Sequence, residues 1–171
     1  RILGPLLPRT VPTGNNRANA LQDAGGLDEA ITLYEQNLED HTRIRGPHHP
    51  DTRTARNNLA AAYQNAGRLD EAITLYESTL KTQIDTLGPD HPGTPTTRNN
   101  LANAYRDAGR LGEAINLLEQ NLKDRTLILG PHHPDTLTSR NNLANAYQAA
   151  GRLDEAITLY EQNLEDHTRI R

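Results

Sequence analysis

The sequence predicts an all-α protein, an α-solenoid of four stacked helical hairpins, and three observations lead there. Gly-Pro pairs recur 42 residues apart at Gly4-Pro5, Gly46-Pro47, Gly88-Pro89 and Gly130-Pro131, dividing the chain into units 4–45, 46–87, 88–129 and 130–171. Self-similarity at a fixed period of this size marks a repeat architecture. Within a unit, Leu69, Ala72, Ile73, Tyr76, Leu80, Ile84 and Leu87 fall at spacings of three and four, one apolar stripe on a helix. Aromatic residues make up only 4%, all of them Tyr, which favours close helix packing on Leu, Ile and Ala over a core of large rings.

Unit 46–87 serves for the rest. Gly46-Pro47-His48-His49-Pro50 is a turn by its Gly and Pro content, and Asp51 or Thr52 is expected to cap a first helix running to about Ala66. Gly67 supplies the left-handed residue that ends it. The second helix is expected from about Leu69 to Thr86, with Asp70 and Glu71 in the first turn, where acids favour the positive end of the dipole. Unit 4–45 is degenerate: Arg17 stands where Leu59 stands, Leu21 where Tyr63 stands, and Pro12 and Gly14 fall inside its first helix, which should start near Pro12. Pro95 predicts a later start in the third unit, with Thr94 as cap. Leu27–Arg45 is identical to Leu153–Arg171, so the unit is a recently copied or idealised module.

One hairpin cannot bury its stripe on both sides, so consecutive hairpins must stack as a single array over 1–171. The six Tyr share two positions, Tyr63, Tyr105 and Tyr147 on first helices and Tyr34, Tyr76 and Tyr160 on second helices, and read as core. The chain stops where another Gly-Pro turn would begin, which reads as a piece of a longer array whose last hairpin exposes an apolar face.

The same sequence excludes much. With no Cys there is no disulfide, thiolate nucleophile or Cys-based metal site. A net charge of -4 and a pI near 6.0, with no basic run, give nucleic acid and anionic membranes nothing to hold. No apolar run reaches the roughly 18 residues that span a bilayer, and a cytoplasmic location is expected. No Walker loop, HExxH helix, nucleophile elbow or catalytic carboxylate pair occurs, so the chain is expected to be no enzyme and to use no cofactor or metal. His48-His49, His91 and His132-His133 lack a third ligand nearby and read as turn and helix-start residues. Arg56, Arg98 and Arg140 read as snorkelling over the core edge to meet an acid on a neighbouring helix.

At Leu59-Ala60, Tyr63, Gly67, Ala72, Tyr76 and Leu80 the unit resembles a tetratricopeptide repeat. The 42-residue period and the Leu-Gly-Pro-x-His-Pro linkers at Leu87–Pro92 and Leu129–Pro134 are similar, more narrowly, to the long class found in kinesin light chains and in bacterial arrays attached to P-loop NTPases. The resemblance implies a right-handed superhelix and a scaffold that grips extended peptides in a concave groove. Departures are Thr79 where Ala is usual, Leu118 in place of the second-helix Tyr, and Gly112 in place of Asp.

Carried over residue by residue, the groove would be lined by three rows: Asn15, Asn57, Asn99 and Asn141; Asn16, Asn58, Asn100 and Asn142; and Asn19, Asn103 and Asn145, broken by Ala61. Gln64, Gln148 and Arg106 occupy the next turn, with Gln22 at the same position of the first unit, and Arg106 is its one basic residue. Mid-helix Asn is about 0.5 kcal/mol worse than Ala, so stability alone does not choose it. An amide both donates and accepts, and can bond a peptide backbone whatever its side chains. The alternative is that one Asn of each pair bonds to a neighbouring unit and holds the stack. Two functions follow: a scaffold binding an extended peptide across the Asn rows, or a spacer and self-assembly module joining end to end through its terminal hairpins. Leu3–Pro12, apolar and Pro-rich, could also lie in a neighbour's groove.

Overall fold

The computed structural model describes residues 18–21 and 25–170. Asn15, Asn16, Arg17, Gln22, Pro12, Gly14 and the Leu3–Pro12 segment lie outside them. After a helical stretch at 18–21 come α1 (Leu27–Arg45), α2 (Pro50–Asn65), α3 (Leu69–Leu87), α4 (Thr94–Asp107), α5 (Leu111–Leu129), α6 (Pro134–Ala149) and α7 (Leu153–Ile170). The chain divides into two compact units, Arg1–Thr86 and Leu87–Arg171. In the first, α1 packs on α2; in the second, α4, α5, α6 and α7 each pack on the next.

The hairpin turns follow from glycine. Gly67 has φ 77°, its N–H donates to the Gln64 carbonyl (3.0 Å), and the Arg68 N–H reaches the Tyr63 carbonyl (2.8 Å). That double bond closes the last carbonyls of α2, and Gly109 and Gly151 repeat it after α4 and α6. The helix starts differ from expectation. The N-cap of α2 is His49, whose Nδ1 accepts from the Asp51 N–H at 3.1 Å, and His133 does the same for Asp135. His91 Nδ1 accepts from the Gly93 N–H (3.0 Å), so Thr94 is the first residue of α4 and not its cap. The buried threonines act on the loop instead: the Oγ1 of Thr52 donates to the Gly46 carbonyl (2.7 Å) and that of Thr136 to Gly130 (2.8 Å). A threonine hydroxyl too deep to reach the first helical N–H groups still satisfies the Gly-Pro turn, leaving the cap to imidazole.

The core is small and aliphatic, as the composition requires. Ala30, Ala60, Ala62, Ala72, Ala104, Ala114 and Ala144 are 0% exposed, letting helices approach closely around Ile31, Ile73, Ile115 and the buried Tyr34, Tyr63, Tyr76, Tyr105 and Tyr147, whereas Tyr160 is half-buried. Tyr63 bridges hairpins in the first unit, its hydroxyl donating to Glu35 on α1 at 3.1 Å. Tyr76 is buried deeply enough that its hydroxyl is pushed up to about 12 by desolvation. The face of α7 is the exception: Ile157 is 52% exposed where Ile31 and Ile73 are 2%, and Leu164 is 70% exposed.

Within each hairpin of the second unit the two helices are joined by a polar lattice. Arg98 is 1% exposed, buried and not snorkelling, and its Nη1 donates to Asp124 (2.5 Å) and to Asn121 Oδ1 (3.4 Å). Asn121 Nδ2 donates in turn to the Pro95 carbonyl and to Asn99 Oδ1, both at 2.9 Å. Arg140, Asp166, Asn163, Asn141 and the Leu137 carbonyl reproduce the pattern, with His132 Nδ1 adding a 3.0 Å contact to Asp166. The Arg140 guanidinium holds the Asp166 carboxyl below the usual aspartate value. The hairpin of α2 and α3 has Thr79 and Thr82 at the Asn and Asp positions. Thr79 spends its hydroxyl on the Leu75 carbonyl, and Asn57 Oδ1 is left buried without a partner.

Thr79→Asn should therefore raise stability by about 1 kcal/mol, the net worth of one restored hydrogen bond, read as a higher urea midpoint. An unchanged or lower midpoint would mean that Asn57 is not short of a donor.

Candidate functional site

The Asn rows separate into two chemistries. Asn99 and Asn141 face the second helix of their own hairpin and accept from Asn121 and Asn163, so this row bonds within a repeat and not to its neighbour. The third row is outward. Asn103 and Asn145 are exposed, and Asn142 is half-buried. Asn19 and Asn145 each accept from a second-helix tyrosine hydroxyl, Tyr34 and Tyr160, and Tyr160 also donates to Gln148 Oε1 at 3.3 Å.

In the third repeat this pairing is absent because Leu118 replaces the tyrosine. A leucine has no hydroxyl for Asn103 and lacks the reach of a phenol. The result is a narrow cleft of about 20 Å³ lined by Asn103 and Arg106 on α4, Leu118 on α5, and Asn142 and Asn145 on α6. That is room for about one water-sized group, flanked by three amides and a guanidinium. Arg106 has only a loose 3.8 Å contact to Asp107 and is half-exposed. Such a site can donate to and accept from a peptide unit and can attract a carboxylate. Asn100 is half-buried beside it in sequence, on α4. In the first unit Asn57, Asn58 and Gln64 are half-buried on α2.

Comparison with known proteins gives this face its context. The family model of the tetratricopeptide repeat matches at residues 11–83, 51–125 and 96–166. The chain belongs to the tetratricopeptide repeat family. Among solved structures it is similar to a kinesin-light-chain-type protein of Podosopora anserina with nearly identical TPR-like repeats, at 32% identity and a TM-score of 0.87, over 99% of this chain and 80% of that one. A single-substitution variant of that protein matches at 32% identity and a TM-score of 0.86, over 96% and 77%. BtubC of P. vanneervenii shares the fold at 20% identity and a TM-score of 0.79, over 94% of this chain and 64% of that one. No curated protein matches the sequence. Tetratricopeptide repeats mediate protein–protein interaction and are typically non-enzymatic scaffolds. Among the described residues no helix is long and apolar enough to cross a membrane.

One recurring group escaped the sequence reading. Arg68, Arg110 and Arg152 lie over the rings of Tyr63, Tyr105 and Tyr147 at 4.6, 4.6 and 4.5 Å, and each grips Glu71, Glu113 or Glu155 through two hydrogen bonds of 2.6–2.7 Å. Those bonds hold the three carboxyls below the usual glutamate value. The signal was present as Gly-Arg-Leu-x-Glu in three tetratricopeptide units, and the first repeat, where Leu21 replaces the tyrosine, also replaces the arginine by Gly26. An arginine plane stacked on a ring and clamped by a carboxylate fixes the hairpin turn against the first helix.

The two kinds of asparagine should part company under mutation. Asn121→Ala leaves Arg98 and Asn99 short of partners and should lower the urea-unfolding stability by about 2 kcal/mol. Asn103→Ala, on an exposed helix face, should stay within about 0.5 kcal/mol of the parent. Equal losses would show that the outward row is structural as well.

Proposed function

We propose that the chain is a cytoplasmic protein-interaction scaffold that takes an extended peptide segment of a partner protein across the face carrying Asn100, Asn103, Arg106, Asn142, Asn145 and Gln148. The observation that carries this reading is the convergence of Asn103, Arg106, Asn142 and Asn145 on one cleft, at the repeat where Leu118 leaves an amide without its tyrosine. Three amides offer donors and acceptors to a backbone whatever the ligand's side chains, which suits a peptide advancing about 3.3 Å per residue. Arg106 favours an acidic residue at that point of the ligand and nowhere else on this face. Asn19, Asn58 and Gln64, and Asn15 by sequence, take the same repeat positions earlier in the chain. Asn57, Asn99 and Asn141 have a supporting part, two of them already bonded to the second helix of the hairpin.

A random peptide library selected on the parent and on Asn103→Ala/Asn142→Ala/Asn145→Ala tests the reading. Enrichment on the parent alone, with both proteins equally helical, is the expected outcome, and replacing a ligand acid by its amide should weaken binding by about 1–2 kcal/mol. Recovery of the same peptides on both proteins would place recognition elsewhere.

A second reading, end-to-end self-association, is favoured by the exposed apolar face of α7. Sedimentation at rising protein concentration should then show assembly that Ile157→Lys/Leu164→Glu abolishes. A parent that stays monomeric at millimolar concentration ends that reading.

A further inference from the structure

The third repeat differs from its neighbours at a second place, away from the Asn rows. A cleft of about 160 Å³ opens where the loop before α4, the last turn of α5 and the start of α6 meet, lined by Pro89, Asp90, Pro92, Pro95, Asp124, Arg125, Ile128, Leu129 and Asp135. It is too small for a cofactor or drug-sized ligand, which need roughly 300–1,000 Å³, and large enough for one branched aliphatic side chain.

Repeat-to-repeat comparison shows what made it. In the first unit Arg45 at the end of α1 pairs with Asp51 at 3.0 Å. Leu129 holds the Arg45 position at the end of α5, and the Asp135 carboxylate, equivalent to Asp51, has no ion pair among the described residues. Asp90 stands where other repeats have His48 and His132, and Pro95 stands where the second has Arg53. His132 contacts Asp166 at 3.0 Å, whereas Asp90 puts a second acid on the same cleft as the equivalent Asp124. At three lining positions, Asp90, Pro95 and Leu129, a basic or titratable group of another repeat has thus been exchanged for an apolar or acidic one, against one change the other way, Arg125 where the other repeats have His41, Gln83 and His167. Asp124 is already spent on Arg98. Arg125 donates to the Asp135 carbonyl at 3.0 Å, so its guanidinium is tied to the wall, while Asp90 and Asp135 line the cleft as exposed residues. The apolar floor is exposed too: Ile128 is 54% and adjacent Leu127 76% accessible, where the first repeat has Arg43 before Ile44.

We propose that this cleft binds a peptide segment of a partner protein that presents a leucine or isoleucine side chain beside a lysine or arginine. The aliphatic group enters between Pro92, Pro95, Ile128 and Leu129, and the neighbouring cation is held by Asp90 and Asp135. No residue of the Asn rows takes part, so this site stands or falls separately from the concave face.

The probe is a fluorescein-labelled octapeptide, Gly-Ser-Leu-Arg-Ile-Lys-Ser-Gly, titrated by fluorescence anisotropy with the 171-residue chain. Saturable binding is expected, weakening with added salt and lost when the probe's Leu and Ile are replaced by Ser. Leu129→Arg installs the residue that the first repeat carries at this position, preserves the fold by that precedent, and should weaken binding about tenfold by filling the cleft and neutralising Asp135. Asp90→Asn and Asp135→Asn should each weaken it about threefold. Asn103→Ala/Asn142→Ala/Asn145→Ala should leave it unchanged. Equal affinity in parent and Leu129→Arg, no saturation at millimolar protein, or loss only in the triple alanine variant would each overturn the proposal.

Discussion

The buried arginine of the first helix is the constraint around which each hairpin of the second unit is organised. A guanidinium at the 1% exposure of Arg98 is tolerable only with a carboxylate and further acceptors in place, since an unpaired buried charge costs several kcal/mol. Asp124 supplies the charge and Asn121 a second acceptor, both to Nη1, while the buried Nε and Nη2 are left without a hydrogen-bond partner; Asn121 then has two N–H groups that must themselves be satisfied, which fixes Asn99 and the Pro95 carbonyl. One charge therefore specifies four partners on two helices and sets their register. Aliphatic contacts supply the driving force for packing, but Leu and Ile tolerate sliding in a way that this lattice does not.

The same logic accounts for what is left over for binding. Asn next to Arg is consumed by the lattice in the second unit, whereas the Asn four positions on, as at Asn19 and Asn145, meets the second-helix tyrosine. Where that tyrosine is present, as with Tyr160, the outward amide is engaged. Where Leu118 stands, the amide opens onto solvent beside Arg106. A ligand site on a repeat array can thus arise by loss of an internal partner, with no new functional group added.

The period, the hairpin, the glycine turns and five of the six tyrosines as core were legible because each rests on local spacing or on a single conformational requirement; Tyr160, on the open face of α7, is only half-buried. Both helix caps were misplaced: Asp51 and Thr94 have cap-forming side chains, and nothing local reveals that an imidazole two residues ahead of Asp51 reaches its N–H first. The two asparagine rows could not be told apart by sequence from first helices alone, because their roles depend on position 121 or 163 some 22 residues away. The signal was nonetheless present as a correlation: Asn37, Asn121 and Asn163 accompany Asp40, Asp124 and Asp166, and the unit with Thr79 also carries Thr82. The Arg68 clamp was missed because the arginine sits in the turn, outside the apolar stripes by which the helices were recognised, and its carboxylate partner was read only as an acid at a helix start.

Because Arg98, Asp124, Asn121 and Asn99 all lie between residues 88 and 129, the lattice closes inside one repeat, and so does the Thr52 bond to Gly46 between residues 46 and 87. A repeat built this way carries its own specification. Copying one, or deleting one, leaves no half of this lattice behind in the remaining units, although the contacts that cross between repeats, such as Tyr63 to Glu35 and Arg45 to Asp51, must be re-formed with the new neighbour. The verbatim recurrence of Leu27–Arg45 as Leu153–Arg171 is what such heredity by the cassette leaves in a sequence, and it makes array length a quantity that can drift faster than any single residue within it.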